Sequence, residues 1–442
     1  MNQDIGTDYR SILQLALPIS AGTFVQFLVV LTDNLFLSRT SDVALNGAGN
    51  AGIFYITLGM VGAGFANTGQ ILIARRMGES NPSETLRILR SGLLTAAIAG
   101  LVLIAILSGV LSAGFSSIFR DAATGAAFDD FLSIRKWGLL PSFMLLMCNA
   151  FFMGTARSKV LMWAMITTGS VNIIGDFVLM NTAPGWPALG ARGAAYASLT
   201  AECAGLLILI GHVIRQHGRE LHSALFLTLS EWGHWVRLAL PMIFQLTLTM
   251  GTWSMFFFFV EQVGVLELKV SHIARNFFML AFVMSQGIQQ TTRTYISTLL
   301  GAGRQRELGT VMFRLWVVNF CGVTLLAHGG LLYPSWLAAP FFDDPVGLDA
   351  AAKTLPIIFI AMWLYSGSSV LLSTVQGSGH TRPALVIELI ALVAYTAVTV
   401  QLTLIDPQPV WRIWLVELVY FGLMGLGASL FLSRWDWQSK AL

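Results

Sequence analysis

Long apolar runs separated by short polar breaks recur along all 442 residues of the chain. About 20 apolar residues in a helix are enough to cross the hydrocarbon core of a bilayer, which is about 30 Å thick. The pattern therefore predicts twelve membrane-spanning helices and leaves no room for a sizeable soluble domain. The expected spans are 11–38, 46–76, 84–112, 131–155, 158–182, 190–216, 230–262, 266–299, 306–336, 352–377, 383–405 and 409–433.

The composition supports an all-α integral membrane protein. Of the residues, 55% are hydrophobic and only 11% are charged, whereas soluble domains carry about 25% charged residues. Each of the three cysteines falls within an apolar run, so we expect neither a disulfide framework nor a thiolate metal site. The chain contains no HExxH, GxSxG or paired-histidine motif, and we therefore expect no enzyme and no cofactor.

The basic residues predict how the chain is oriented. If both termini are cytoplasmic, the inward segments hold roughly twice as many Lys and Arg as the outward segments. Cytoplasmic loops of membrane proteins carry this excess. We therefore predict a multi-pass protein of the inner (plasma) membrane, with both termini in the cytoplasm. We expect a monomer in contact with membrane lipid, without a nucleic-acid partner.

The chain also repeats itself. LALP at 15–18 recurs at 238–241, and the same offset of 223 residues relates several further identical pairs in the two halves. Six spans separate the copies, an even number, so both halves have the same orientation in the membrane. We therefore predict two parallel-repeat six-helix lobes around a central cleft: 1–216 is the N-terminal lobe, 217–234 a cytoplasmic linker and 235–442 the C-terminal lobe. The pairs include Phe36 and Phe259, Gly64 and Gly287, Thr68 and Thr291, and Gly154 and Gly377.

Two acids within apolar runs are the main candidates for chemistry. Asn172 and Asp176 are four residues apart and share one face of the fifth span. An Asp in hydrocarbon costs roughly 2.5–3.5 kcal/mol on insertion scales, so it normally faces a protein interior or a watery cavity. Asp33 is expected in the outer half of the same lobe, and two carboxyl groups at one depth cannot cheaply both be ionised. We therefore predict a site for H⁺ or Na⁺ at Asp33, Asn172 and Asp176, with a hydroxyl such as Ser198.

Other polar residues within the spans have more than one interpretation. Glu202 either lines the cavity of the first lobe or forms a structural hydrogen bond, and Asn34 is a second possible cavity residue. Pro18 predicts a hinge in the helix that carries Asp33, because proline removes a helical hydrogen bond.

In the second half, Glu417 and Arg275 fall at similar depth, and we expect them to pair. The role of Glu388 stays open. The positions that match Asp33, Asn172 and Asp176 are Phe256, Tyr395 and Thr399, so the acid site is expected in the first lobe only.

Several motifs together resemble the multidrug and toxic compound extrusion (MATE) transporters. They are LALPI at 15–19 followed by Asp33, MGE at 77–79, and NxxxD followed by PxLGxxGAAxAS at 187–198. The resemblance implies an antiporter that expels amphipathic, often cationic, small molecules in exchange for entering H⁺ or Na⁺ by alternating access.

The resemblance also implies roles for single residues. It places the first-lobe cation site on Asp33, Asn172 and Asp176, with Ser198 where Thr is usual, and makes Pro18 the point at which the first helix bends. The chain has Thr249 where members with a second-lobe cation site have Glu, so we do not expect that second site.

The alternative is a lipid-linked precursor or polysaccharide flippase of the same superfamily. That class often needs a basic cavity, whereas the candidate residues here are acidic. An intramembrane enzyme or a passive channel fits the sequence less well. The sequence leaves open the identity of the substrate and the choice between H⁺ and Na⁺.

Overall fold

The computed structural model describes residues 5–114, 119, 121–180, 189–223 and 225–439. Within these residues the chain forms helices and no strands. The helices of the first half are α1 (Tyr9–Thr40), α2 (Asp42–Gly78), α3 (Pro82–Ser112), α4 (Ala122–Arg135), α5 (Leu139–Gly154), α6 (Ser158–Leu179) and α7 (Ala191–Ser223). Those of the second half are α8 (Leu229–Val263), α9 (Val265–Gly301), α10 (Leu308–Ala327), α11 (Gly329–Leu332), α12 (Pro334–Ala338), α13 (Pro345–Gly377), α14 (Thr381–Val400), α15 (Val410–Ile413) and α16 (Val416–Arg434).

The long helices confirm the predicted class of fold. In the described part of the chain, eleven helical segments are long and apolar enough to cross a membrane. The expected fourth span, 131–155, lies largely within the helical segment Ala122–Gly154, in which a 3-10 turn at Lys136–Gly138 joins α4 to α5. The expected eighth span is α9, which has 37 residues but carries several charged side chains. With α9, the long helices match the twelve expected spans of a multi-pass membrane protein.

The chain divides into two compact units, and the division passes through two helices. The first unit is Ala21–Ile243; the second joins Asn2–Ser20 to Phe244–Leu442. The beginning of α1 therefore belongs to the second unit and the rest of α1 to the first. The beginning of α8 belongs to the first unit and the rest of α8 to the second.

The segment at the beginning of α1 is fixed within the second unit by side chains of α9, α10 and the turn between them. The backbone carbonyls of residues 5–7 accept hydrogen bonds from Tyr295, Arg304 and Arg314, at distances of 2.6–3.1 Å. Thr7 also donates its hydroxyl to Glu307 over 3.1 Å. These bonds satisfy backbone groups that precede the first helical turn and hold the chain there in one place.

The beginning of α8 is fixed within the first unit by a buried tryptophan. Trp235 is fully buried and donates its indole N–H to the hydroxyl of Thr68 over 3.1 Å. Its ring stacks on Phe65 with a centroid distance of 4.3 Å. A buried indole needs such a hydrogen-bond partner, and the stacked pair adds apolar contact.

The predicted repeat appears as the same helix contact made once in each unit. A β-carbon at Gly64 would lie 2.7 Å from the backbone nitrogen of Ile243, and one at Gly287 would lie 2.9 Å from that of Ser20. The offset of 223 residues relates both members of these two pairs. Only glycine lets α8 cross α2, and α1 cross α9, at these distances.

A second pair of contacts follows the same offset. A β-carbon at Gly154 would lie 2.9 Å from the carbonyl oxygen of Gln70, and one at Gly377 would lie 3.1 Å from that of Arg293. The first contact joins α5 to α2 and the second joins α13 to α9. The sequence repeat is therefore confirmed as a repeat of helix packing.

Candidate functional site

Close packing of α1 on α6 brings the two predicted acids together. A β-carbon at Gly169 of α6 would lie 2.3 Å from the side chain of Val25 on α1, so the two helices approach closely there. Asp33 and Asp176 follow this contact by about two turns on their respective helices. Their carboxyl groups lie within hydrogen-bonding reach of one another.

Close packing of α6 on α7 adds the amide and the hydroxyl. A β-carbon at Gly175 would lie 2.8 Å from the β-carbon of Ala197, and the next residues on the two helices are Asp176 and Ser198. Asn172 donates its amide N–H to the hydroxyl of Ser198 over 3.1 Å. The small residues at this interface therefore position three of the four predicted site residues.

Four oxygen atoms of this cluster lack donors. Within the described residues, Oδ1 of Asp33, Oδ1 of Asn172 and both carboxylate oxygens of Asp176 are buried and accept no hydrogen bond. Asp176 has no exposed surface. A buried acceptor without a partner costs about 1–3 kcal/mol, and more when it is charged. A proton shared by the carboxyl groups, or a small hard cation held by these oxygens, removes that cost.

The structure thus brings together Asp33, Asn172, Asp176 and Ser198. The side chain of Asn34 lies outside the described part of the chain. Pro18 lies inside α1, which continues through it as a helix and changes unit two residues later, after Ser20. The hinge at Pro18 stays a prediction.

Glu202 has a structural partner that the sequence did not reveal. Its carboxylate forms a two-pronged ion pair with the guanidinium of Arg135, with N–O distances of 2.6 and 2.7 Å. The Arg135 guanidinium also lies over the ring of Tyr55, 3.9 Å from its centroid, and donates to its hydroxyl over 3.0 Å. Of the two interpretations of Glu202, the structure favours the structural bond.

A glycine makes room for this ion pair. A β-carbon at Gly138 would lie 2.3 Å from Nη1 of Arg135 and 2.7 Å from Oε2 of Glu202. Gly138 ends the 3-10 turn between α4 and α5, so the backbone of this turn packs directly against the ion pair. The charge of Arg135 also acts on Asp33. The ion pair therefore belongs to the electrostatic surroundings of the acid cluster.

In the second unit, an aromatic pair occupies the positions that match Asp33 and Asn172. The rings of Phe256 and Tyr395 lie 6.0 Å apart, and the Tyr395 hydroxyl donates to Glu417 over 3.1 Å. The expected pairing of Glu417 with Arg275 is wrong, because the Arg275 guanidinium lies over the ring of Phe257 at 5.3 Å. At these matching positions the first unit therefore has a carboxyl group and an amide, whereas the second has two packed aromatic rings.

Glu388 is a buried acid of the second unit with its own donors. Thr249 donates its hydroxyl to Oε1 of Glu388 over 2.9 Å, and Tyr420 donates to the same oxygen. Oε2 accepts no hydrogen bond from the described residues. Thr249, at the position where a second-lobe cation site was expected to have Glu, instead donates to an acid on α14.

The donor sets indicate which ions fit. Among the described residues, no group of three or more His, Cys, Asp and Glu side chains lies together in a way that could hold a metal ion. The cluster in the first unit instead offers two carboxylates, an amide oxygen and a hydroxyl. Such a set suits a proton or a hard cation that prefers oxygen.

Long apolar helices in two repeated units, with carboxylates buried among them, define the class as a multi-pass membrane transporter. The MatE family model matches residues 18–178 and 241–400, so each half of the chain contains one copy. The chain belongs to the MatE family, and the resemblance of its sequence to MATE transporters is confirmed.

Two curated relatives have similar sequences over most of their length. The chain is 26% identical over 370 residues to the probable multidrug resistance protein NorM of Rhizobium meliloti. The matched region covers 80% of this chain and 77% of the relative. It is 27% identical over 394 residues to the protein of the same name from Caulobacter vibrioides, and this match covers 83% of the chain and 78% of that relative.

Solved structures share the fold. The chain matches an outward-facing multidrug resistance MATE family transporter with a TM-score of 0.85 and 18% identity, over 98% of this chain and 97% of that chain. It matches a MOP superfamily transporter from Pyrococcus furiosus with a TM-score of 0.84 and 18% identity, over 99% and 98%. At this identity the two matches establish the architecture alone.

Proposed function

We propose that the protein is a secondary active multidrug efflux antiporter, which exchanges amphipathic or cationic small molecules for H⁺ or Na⁺. The names of the curated relatives support multidrug efflux. They also favour efflux over the alternative of a lipid-linked precursor or polysaccharide flippase. In this proposal the protein lies in the inner membrane with both termini in the cytoplasm.

The observation that carries the proposal is the meeting of Asp33 and Asp176. Two carboxyl groups from distant parts of the chain lie within hydrogen-bonding reach of one another, and three of their four oxygens are buried and accept no hydrogen bond from the described residues. Two carboxylates at this distance in a low dielectric cannot both stay ionised without a compensating charge. The coupling ion supplies that charge, with Asn172 and Ser198 as further ligands or as residues that position the acids.

Loss of the ion then alters the packing of α1. Two ionised carboxylates repel each other and weaken the contact between α1 and α6 in the first unit. Because α1 continues through Pro18 into the second unit, a shift of its outer half is transmitted along this helix. Ion release is in this way linked to alternating access, with Pro18 as the hinge.

The test is efflux of ethidium from cells and, for purified protein, from proteoliposomes in which H⁺ and Na⁺ gradients are imposed separately. Asp33→Asn removes one charge of the cluster and is expected to abolish uphill efflux at an unchanged protein level. The matched control is Asp130→Asn, because Asp130 is an exposed acid paired with Arg192 and surface pairs contribute little. Normal efflux by Asp33→Asn overturns the proposal, as does wild-type transport that responds to neither gradient.

A further inference from the structure

The inference concerns the ion pair of Arg135 and Glu202 beside the acid cluster. Both side chains are almost buried, with 11% and 14% of their surfaces exposed. Arg135 ends α4, Glu202 lies on α7, and the two are joined by two short hydrogen bonds. A buried pair of this kind must be nearly complete in its hydrogen bonds to offset the loss of hydration.

The position of the pair gives it a second possible partner. Glu202 lies one helical turn after Ser198 on α7, and Ser198 accepts the hydrogen bond of Asn172, so the ion pair lies beside the acid cluster. Arg135 is also close enough to Asp33 for their charges to interact. This part of the first unit therefore holds one guanidinium and three carboxyl groups, and the hydroxyl of Tyr55 is hydrogen-bonded to Arg135 and Glu202. While Glu202 holds Arg135, the two aspartates depend on an incoming ion for compensation.

A guanidinium suits an exchange of partners. It keeps its charge, presents five donors and sits on a flexible side chain, so it can bind one carboxylate while remaining near another. The stacking of Arg135 on Tyr55 fixes the plane of the group, and Gly138 leaves the space that Nη1 occupies.

We propose that Arg135 is an exchangeable counter-ion of the acid cluster, held by Glu202 while Asp33 and Asp176 bind the coupling ion and drawn to Asp33 when the ion leaves. Glu202 is then a positioning residue that sets the affinity for the ion, because it keeps Arg135 from competing with the ion. This inference rests on the proposed function and adds to it the residues that regulate the site.

The experiment measures the half-saturating concentration of the coupling ion separately from the maximal rate, in proteoliposomes. Glu202→Gln releases Arg135, whose positive charge then competes with the ion for the two aspartates. The half-saturating concentration is expected to rise roughly tenfold or more, because one nearby opposite charge shifts a carboxyl group by about that factor. Arg135→Gln combined with Glu202→Gln removes the competitor, and the value is expected to return to the wild-type value or below it.

A matched control pair joins the same two helices. Asp130 and Arg192 form an ion pair between α4 and α7 whose side chains are about half exposed, at 48% and 57%. Asp130→Asn breaks this pair by the same chemical change, and the half-saturating concentration is expected to stay within twofold of the wild type, since an exposed pair is screened by solvent.

A further variant keeps both charges and covers the case in which Glu202→Gln fails to fold. Gly138→Ala displaces the guanidinium by steric contact and is expected to raise the half-saturating concentration while the maximal rate changes less. If Glu202→Gln or Gly138→Ala behaves as Asp130→Asn does, or if the double variant stays as weak as Glu202→Gln, the inference is wrong. The proposed function survives that result as long as Asp33→Asn still abolishes efflux.

Discussion

Gly287 packs directly on the backbone of Ser20, where even a β-carbon would come within 2.9 Å of the backbone nitrogen. Gly64 makes the equivalent contact with Ile243 in the first unit. The two glycines thus lie where α1 and α8, the helices that divide between the units, cross their neighbours. Neither glycine has a backbone conformation that requires glycine, so the lack of room for a side chain is the reason for glycine at both positions.

Gly287→Val is therefore expected to destabilise the protein. The added side chain forces α1 away from α9, and overpacking of this kind typically costs about 1–3 kcal/mol. Thermal unfolding of the purified protein measures the effect. Gly251→Ala is the control, because a β-carbon there meets nothing within 4 Å and alanine favours a helix. Equal unfolding temperatures for the two variants would contradict the packing argument.

Ser198→Ala is expected to weaken binding of the coupling ion. The change removes the acceptor that holds the amide of Asn172 in place, and a hydrogen bond of this kind contributes about 0.5–1.5 kcal/mol. The half-saturating ion concentration should then rise by a factor of about 2 to 10. Ser198→Thr keeps the hydroxyl and should keep the wild-type value. Identical half-saturating concentrations for the two variants would show that the Ser198 hydroxyl does not contribute to ion binding.

Tyr420→Phe is expected to destabilise the second unit, because it leaves the buried carboxylate of Glu388 with one donor fewer. The expected loss of unfolding free energy is about 1–3 kcal/mol. Tyr196→Phe is the control, since Tyr196 is 45% exposed. Chemical denaturation of both variants measures the difference. A Tyr420→Phe protein as stable as the control would mean that Glu388 does not need this donor.

Asp121, outside the membrane-spanning helices, should make the beginning of α4 sensitive to acid. The Thr124 hydroxyl and the backbone N–H groups of Ala123 and Thr124 donate to this carboxylate and lower its pKa. Because the pKa is lower in the folded than in the unfolded chain, the ionised carboxylate stabilises the folded state at pH values above the unfolded pKa. This stability is lost as the pH falls through the folded pKa. The protection factors of the α4 amides, which are exchange rates corrected for the intrinsic effect of pH, should fall in acid. Asp121→Asn, which keeps an oxygen acceptor, should abolish that dependence.

The sequence predicted the acid cluster because spacing along a helix and small residues between helices are local signals. Asn172 and Asp176 share a face by their spacing of four, and Gly175 with Ala197 allows the next helix to approach. The place of Asp33 followed from its depth in the first span. What spacing leaves open is which way each helix is rotated, so the contact between the carboxyl groups needed the structure.

Arg135 shows where the sequence was not sufficient. It stands next to Lys136 near the beginning of the expected span 131–155, where a basic residue is typical of a surface position. The structure separates the two cations: Lys136 donates to Ser108, whereas Arg135 turns inward to Glu202. An acid in the middle of the sixth span was a signal that a cation must lie nearby, but its identity depended on tertiary packing.

The wrong pairing of Glu417 with Arg275 has a similar cause. Equal depth in the membrane was the whole basis for it, and depth does not determine the direction in which a side chain points. Glu417 instead accepts from Tyr395, whose position matches Asn172 in the first half. The repeat preserved the helices here while the side chains at matching positions diverged.

The exchange of helix beginnings between the units affects any attempt to divide this protein. A cut between α7 and α8 gives two fragments of similar size, yet the first lacks Leu229–Ile243 of its unit and the second lacks the segment that ends at Ser20. Each fragment, produced by itself, would leave an unfilled groove where the missing helix packs. Complementation would then require both fragments in the same membrane, so that each receives its missing helix from the other.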